Sequence, residues 1–259
     1  MDWGYTVSGF LVGALVGLTG VGGGSLMTPL LIFLFGISPA LAVGTDLLFA
    51  AVTKSGGIWA HARRSTIEWR VVRLLATGSL PTALVSVYFL RTIREQGWEI
   101  NTLMTSALGL ALILTAVSIL FKSRFQRLGN RITTFAPRLR SRRDTATLLA
   151  GVLLGILVPL SSVGAGALGA AMLLFLYPRL STSRIVGTDI AHAVPLTAVA
   201  GLGHMQLGNV DFVLLGTLLL GSLPGIYLGS HFGSIVPERV MRQILAGVLM
   251  LIGFKFVLS

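Results

Sequence analysis

The chain has no cysteine among its 259 residues. That excludes disulfides, thiolate metal sites and cysteine nucleophiles. It is also poor in charge. Only 11% of residues are charged, where a soluble domain carries about a quarter. Acidic residues are the scarcest: nine stand against twenty lysines and arginines. No His, Asp or Glu spacing resembles a metal site, and no nucleophile–base set or carboxylate pair appears. Glycine tracts occur, but none continues into the Gly-Lys-Ser/Thr of a phosphate-binding loop. An enzyme is therefore not expected, nor a metal, nor a cofactor.

What is abundant is apolar. Hydrophobic residues make up 54% of the chain and mean hydropathy is +0.86. Long apolar runs extend from Leu74 to Leu90, Leu103 to Phe121, Thr147 to Leu160, Phe212 to Tyr227 and Ile244 to Phe256. Several approach the roughly 20 residues that cross a bilayer as a helix. An all-α polytopic membrane protein is expected. Asp2 stands where the basic region of a secretory signal would be, so the first apolar segment reads as part of the folded chain.

The net charge of +11 does not point to nucleic acid. Eight cations lie between Lys122 and Arg143 with no acid among them, and four lie between Arg63 and Arg73. Both clusters flank apolar segments, as the positive-inside rule requires of loops on the cytoplasmic side. A multi-pass protein of the cell inner membrane is expected.

The chain repeats itself. Gly44-Thr45-Asp46 recurs as Gly187-Thr188-Asp189, and Gly78-Ser79-Leu80-Pro81 as Gly221-Ser222-Leu223-Pro224, both at an offset of 143. His61 falls on His204 and Glu68 on Asp211 in the same register. The tract from Thr19 to Gly24 matches Ser161 to Gly166 after a one-residue shift. The organisation is thus a first membrane repeat over 1–121, a basic linker over 122–143 and a second repeat over 144–259.

Each repeat opens on an apolar segment interrupted by glycine: 6–19 then 24–36, and 145–160 then 166–177. Three plainer spans follow: 39–60, 71–90 and 101–121, matched by 183–203, 212–230 and 241–258. The interrupted pieces, at about 12 to 16 residues, reach only about 18 to 24 Å as helices. Each pair is either one broken crossing or a re-entrant hairpin with a glycine tip. Single crossings make the repeats parallel and put 13 cations inside and 6 outside; hairpins make them inverted and give 16 and 3. The charge rule favours inverted repeats, each a hairpin plus three transmembrane helices.

Backbone groups released at a helix break cannot face lipid, so they line a buried or wet cavity. Glycine tips there can aim N–H groups at an anion. The candidate substrate-binding residues are Gly22, Gly23, Gly24 and Ser25 of the first tip, and Ser161, Ser162, Gly164 and Gly166 of the second. Thr45 and Thr188 join them, as does Lys54, the one lysine deep in an apolar stretch. Its counterpart is Thr197, so its presence owes nothing to duplication. Close helix packing is the competing account of the glycines, and snorkelling that of Lys54. Asp46, Asp189 and His192, three residues after Asp189, are candidates for proton coupling or helix capping. His61 and His204 are expected as interfacial caps near Glu68 and Asp211.

Taken as a set, these tracts resemble the sulfite exporter family named for TauE and SafE. The residues that carry the resemblance are Gly20-Val21-Gly22-Gly23-Gly24 with Pro29, Val43-Gly44-Thr45-Asp46-Leu47 running on to Thr53-Lys54 and His61, and Val186-Gly187-Thr188-Asp189 running on to His204, Gly208 and Asp211. The resemblance spans nearly the whole chain. It implies an inner-membrane permease for sulfite, sulfonates or related small anions. Proton-coupled uptake of a small carboxylate is the alternative, and a cation transporter the lesser one. Ala165 and Ala167 depart from the first tract's glycines.

Overall fold

The structure, a computed structural model, describes residues 3–19, 24–135, 142–232 and 238–258. Among these, all regular structure is helical. The first half runs α1 (Trp3–Thr19), α2 (Gly24–Phe35), α3 (Pro39–Arg63), α4 (Trp69–Glu95) and α5 (Ile100–Leu120). The linker carries α6 (Lys122–Phe135). The second half repeats the series as α7 (Arg143–Ser161), α8 (Ala167–Leu176), α9 (Thr182–Gln206), α10 (Phe212–Phe232) and α11 (Glu238–Leu258). Among the described residues, six helices are long and apolar enough to cross a membrane: α3, α4, α5, α7, α9 and α10, the last over Phe212–Gly229. Their outer faces carry exposed Leu84, Val85, Tyr88, Leu220 and Tyr227, the apolar surface that lipid solvates.

Local chemistry sets the boundaries. Pro39 opens α3 at a position where its missing N–H costs nothing. Gly36, at φ +63, closes α2; its N–H reaches the Ile32 carbonyl and the Ile37 N–H reaches that of Leu31, satisfying the last turn.

The interrupted segments fold back on themselves. Tyr5 of α1 packs on Phe35 at the far end of α2, ring centroids 4.6 Å apart. In the second half the Thr147 hydroxyl meets that of Tyr177 at 2.8 Å, joining the start of α7 to the end of α8. The arms are less even than the sequence suggests. α1 has 17 residues and α7 has 19, about 26 and 28 Å. α2 has 12 and α8 only 10, about 18 and 15 Å. The long arms gain length chiefly at their starts, which lie at Trp3 and Arg143. The first tip, with Gly22 and Gly23, lies outside the described residues.

Contacts between the halves come in reciprocal pairs. α1 packs on α10 as α7 packs on α4, α5 packs on α11, and α3 packs on α9. Along the last pair, Gly44 meets His204, Leu48 meets Gly201, Gly57 meets Ile190, and His61 meets Gly187. These corresponding helices therefore run antiparallel. Glycines permit the close approach elsewhere. Gly151 and Gly155 of α7 lie against the Leu75 and Ser79 carbonyls of α4, and Gly221 and Gly225 of α10 lie against the Thr6 and Phe10 carbonyls of α1. In a membrane, where apolar burial drives no helix pairing, such contact is what holds helices together.

Gly151→Val should therefore lower stability by about 1–3 kcal/mol or more, since its Cβ collides with backbone rather than a movable side chain. Gly247→Ala, with nothing near its Cβ position, should be neutral. Thermal unfolding in detergent compares the two.

Candidate functional site

The repeated motifs meet at a seam between α3 and α9. Thr45 Oγ1 accepts a hydrogen bond from the Asp211 N–H at 3.1 Å, and Thr188 Oγ1 accepts one from the Glu68 N–H at 3.0 Å. Each is the other's image at the offset of 143. The side chain in one half satisfies the backbone at the start of a helix in the other. Both threonines are fully buried and neither is among the residues lining the cleft described below. Their hydroxyls are engaged as joints between the halves. Glu68 also pairs with Arg184 across the same seam.

The histidines at the span ends differ from their expected interfacial role. His204 is fully buried, with Nε2 2.8 Å from the Pro159 carbonyl and Nδ1 3.4 Å from Asn209 Nδ2. It closes a carbonyl left open near the end of α7 rather than capping at the surface. His61 stays half-buried beside the Thr66 hydroxyl at 2.8 Å.

The second hairpin tip carries the local irregularity a site needs. Ser162 ends α7 at φ +56, and Gly164 and Gly166 stand at φ +120 and +148. The last two values are open to glycine and strained for other residues. Ser161 is used internally: its hydroxyl donates to the Leu157 carbonyl at 2.7 Å and accepts the Val163 N–H at 3.1 Å. Ser162 lies beside Asp46. The carbonyl of Ala165, turned out of helical pairing by the tip, accepts a hydrogen bond from Lys54 Nζ at 2.6 Å.

Lys54 is 8% exposed and lies within electrostatic reach of both Asp189 and Asp46. The two carboxylates are held differently. Asp46 accepts a 2.5 Å hydrogen bond from the Thr28 hydroxyl of α2. Asp189 Oδ1 has no hydrogen-bond partner; it rests against Gly169 of α8, where any Cβ would displace it. Thr28 corresponds to Ala170 after the one-residue shift, so the second half lacks the hydroxyl. His192 follows one turn later, Nε2 at 2.8 Å from the Ser79 hydroxyl of α4 and Nδ1 without a partner.

A cleft leads to this group. Its inner end is lined by Lys54, Asp189 and Gly166, its walls by Ser118 and apolar residues of α5, α8 and α9, and its mouth by Lys122 and Arg242. The mouth lies at the linker end of the molecule, where α5 finishes and α6, α9 and α11 begin. At the opposite end the corresponding positions are shut. Thr28, Ala42, Val43, Asp46 and Leu47 are fully buried. Phe33 stacks on Phe256 at 4.6 Å, Lys255 sits 4.4 Å above Phe33, and the Ala40 N–H reaches Asn101 Oδ1 at 3.2 Å.

Thus Lys54, Asp189 and Gly166 line the cleft, Asp46 and Ser162 lie behind it, and His192 lies one turn beyond. Gly164 shapes the tip, and Gly24 begins α2. Gly22 and Gly23 lie outside the described residues, as does the side chain of Ser25. Arg242 and Lys122 were not foreseen as site residues. The signal for Arg242 was available: its counterpart in the first half is Glu99, a reversal of charge that duplication does not explain.

The profile of the family described as "Sulfite exporter TauE/SafE" matches residues 5–256. The chain belongs to that family. It is 40% identical over 249 residues to the probable membrane transporter protein YjnA of Bacillus subtilis, covering 96% of this chain and 97% of the relative. Two more distant relatives carry the same description. YdhB of B. subtilis is 26% identical, over 93% of this chain and 97% of its own. MJ0441 of Methanocaldococcus jannaschii is 25% identical, over 97% and 94%. No solved structure matches. The protein is a multi-pass membrane transporter.

If Thr45 and Thr188 are joints, Thr45→Val and Thr188→Val should each cost about 0.5–1.5 kcal/mol of stability, by similar amounts. Neither should alter affinity for a cargo bound at Lys54. Unfolding and binding measured on the same preparations separate the two effects.

Proposed function

We propose that this transporter is a permease for small sulfur-containing anions, sulfite or sulfonates, in the cell inner membrane. The observation that carries the reading is the cleft itself: three cations, Lys122, Arg242 and Lys54, mark its course from the linker end to the middle of the fold. A sulfonate stays ionised at any cellular pH and needs donors and a counter-ion wherever water is excluded. Lys54 supplies the counter-ion, and the glycine tip at Gly166 lets the anion approach backbone. The family description favours sulfur as the central atom.

The same reading takes the halves as inverted repeats whose hairpins re-enter from opposite faces, around a site between them. The antiparallel course of α3 and α9 supports this. So does the mismatch between an open cleft at one end and buried counterparts at the other. Transport is then an exchange of conformations between the halves. The membrane potential favours exit of an anion by about 2.3 kcal/mol per charge per 100 mV. The reading involves a lipid bilayer and one small anion, with no catalytic step, cofactor, metal or nucleic acid.

Two results are expected. Lys54→Met should abolish binding of sulfite and methanesulfonate to the purified protein while it remains folded. Lys54→Arg should restore it only in part, because the guanidinium fork cannot both reach Ala165 and present the same point charge. Unchanged affinity in the methionine variant would return Lys54 to a snorkelling role. In cells, cysteines placed at Ser123 and Ser183 should both be shielded from an impermeant reagent added outside. Labelling at Ser183 with shielding at Ser123 would favour parallel repeats instead.

A further inference from the structure

The charges at the inner end of the cleft do not balance. Lys54 brings one positive charge, and Asp46 and Asp189 bring two negative ones. An anion seated at Lys54 adds a third. Other charged groups do not reach this account. Glu68 is engaged by Arg184 and His61 by Thr66, both at the seam. From the elements packed around Asp189, α3 presents Lys54 and Asp46, and α4, α5 and α8 present Ser79, Ser118 and Gly169. His192 is on its own helix, and Lys122 and Arg242 stand at the mouth.

We propose that Asp189 is the site at which a proton enters with the anion, so that cargo and proton are bound together at the inner end of the cleft. The proposal rests on the anion reading of Lys54. Geometry separates the two carboxylates. Asp46 is fully buried and already holds the Thr28 hydroxyl, so its charge is solvated by the protein. Each leaves its Oδ1 without a partner, but Asp189 lines the cleft and faces the backbone of Gly169 where its counterpart faces a hydroxyl. The proton comes from the bulk solvent, relayed by water in the cleft, and forms an O–H bond on Asp189. It leaves the same oxygen when the opposite face opens.

Titration calorimetry of the purified protein with methanesulfonate tests this. The probe is the anion of a strong acid and has no proton to exchange. Repeating the titration in buffers of different ionisation heat counts protons taken up. About one proton per anion is expected at neutral pH, with affinity falling up to about tenfold per pH unit above it. Asp189→Asn should bind with no proton uptake and a flat pH profile, and Asp46→Asn should keep the uptake. Binding without proton uptake in the native protein, or binding that requires sodium, overturns the proposal and leaves the anion reading standing. So does uptake that survives in Asp189→Asn. Should that variant fail to fold, the proton count and sodium dependence of the native protein still decide. No binding of methanesulfonate or sulfite at all overturns both readings.

Discussion

The structure turns on one hydrogen bond, from Lys54 of the first half to the Ala165 carbonyl of the second. A lysine deep in an apolar helix is expensive and persists only where something in the protein replaces water. Here the replacement is a carbonyl that a helix would have consumed. It is available because the chain between Ser162 and Gly166 leaves helical geometry. The irregular tip and the buried cation thus account for each other, and both depend on the halves being docked together.

Docking and chemistry use different parts of the repeat. Where the repeat is kept, it builds the seam: Thr45 with Asp211 and Thr188 with Glu68, His204 against Gly44 and His61 against Gly187. Where it is broken, the site appears. Lys54 stands opposite Thr197, Arg242 opposite Glu99, His192 opposite Phe49, and Ala170 opposite Thr28. The lining is asymmetric: Lys54 and Asp189 stand at the inner end of the cleft and Lys122 and Arg242 at its mouth.

Much of this was legible in the sequence. Hydropathy and the offset of 143 mark the helical spans and the two halves, because lipid forces long apolar runs and duplication preserves glycine, proline and polar positions. Lys54 and Asp189 stand out since a charge in an apolar span is rarely idle. Thr45 and Thr188 were not legible as joints, because a hydroxyl that satisfies a distant backbone N–H looks the same in sequence as one that meets a ligand. His204 misled, its partner Pro159 being 45 residues away. Arg242 was missed because it lies near the end of an apolar span, where the positive-inside rule already explains a cation.

The central claim is that an oxyanion binds in the cleft against Lys54. Selenite has the shape and charge of sulfite, and selenium scatters anomalously. Crystals of the protein grown with selenite should show an anomalous peak within hydrogen-bonding reach of Lys54 Nζ, on the side facing Asp189 and Arg242. An empty cleft with selenium bound at any other place in the fold would contradict the account.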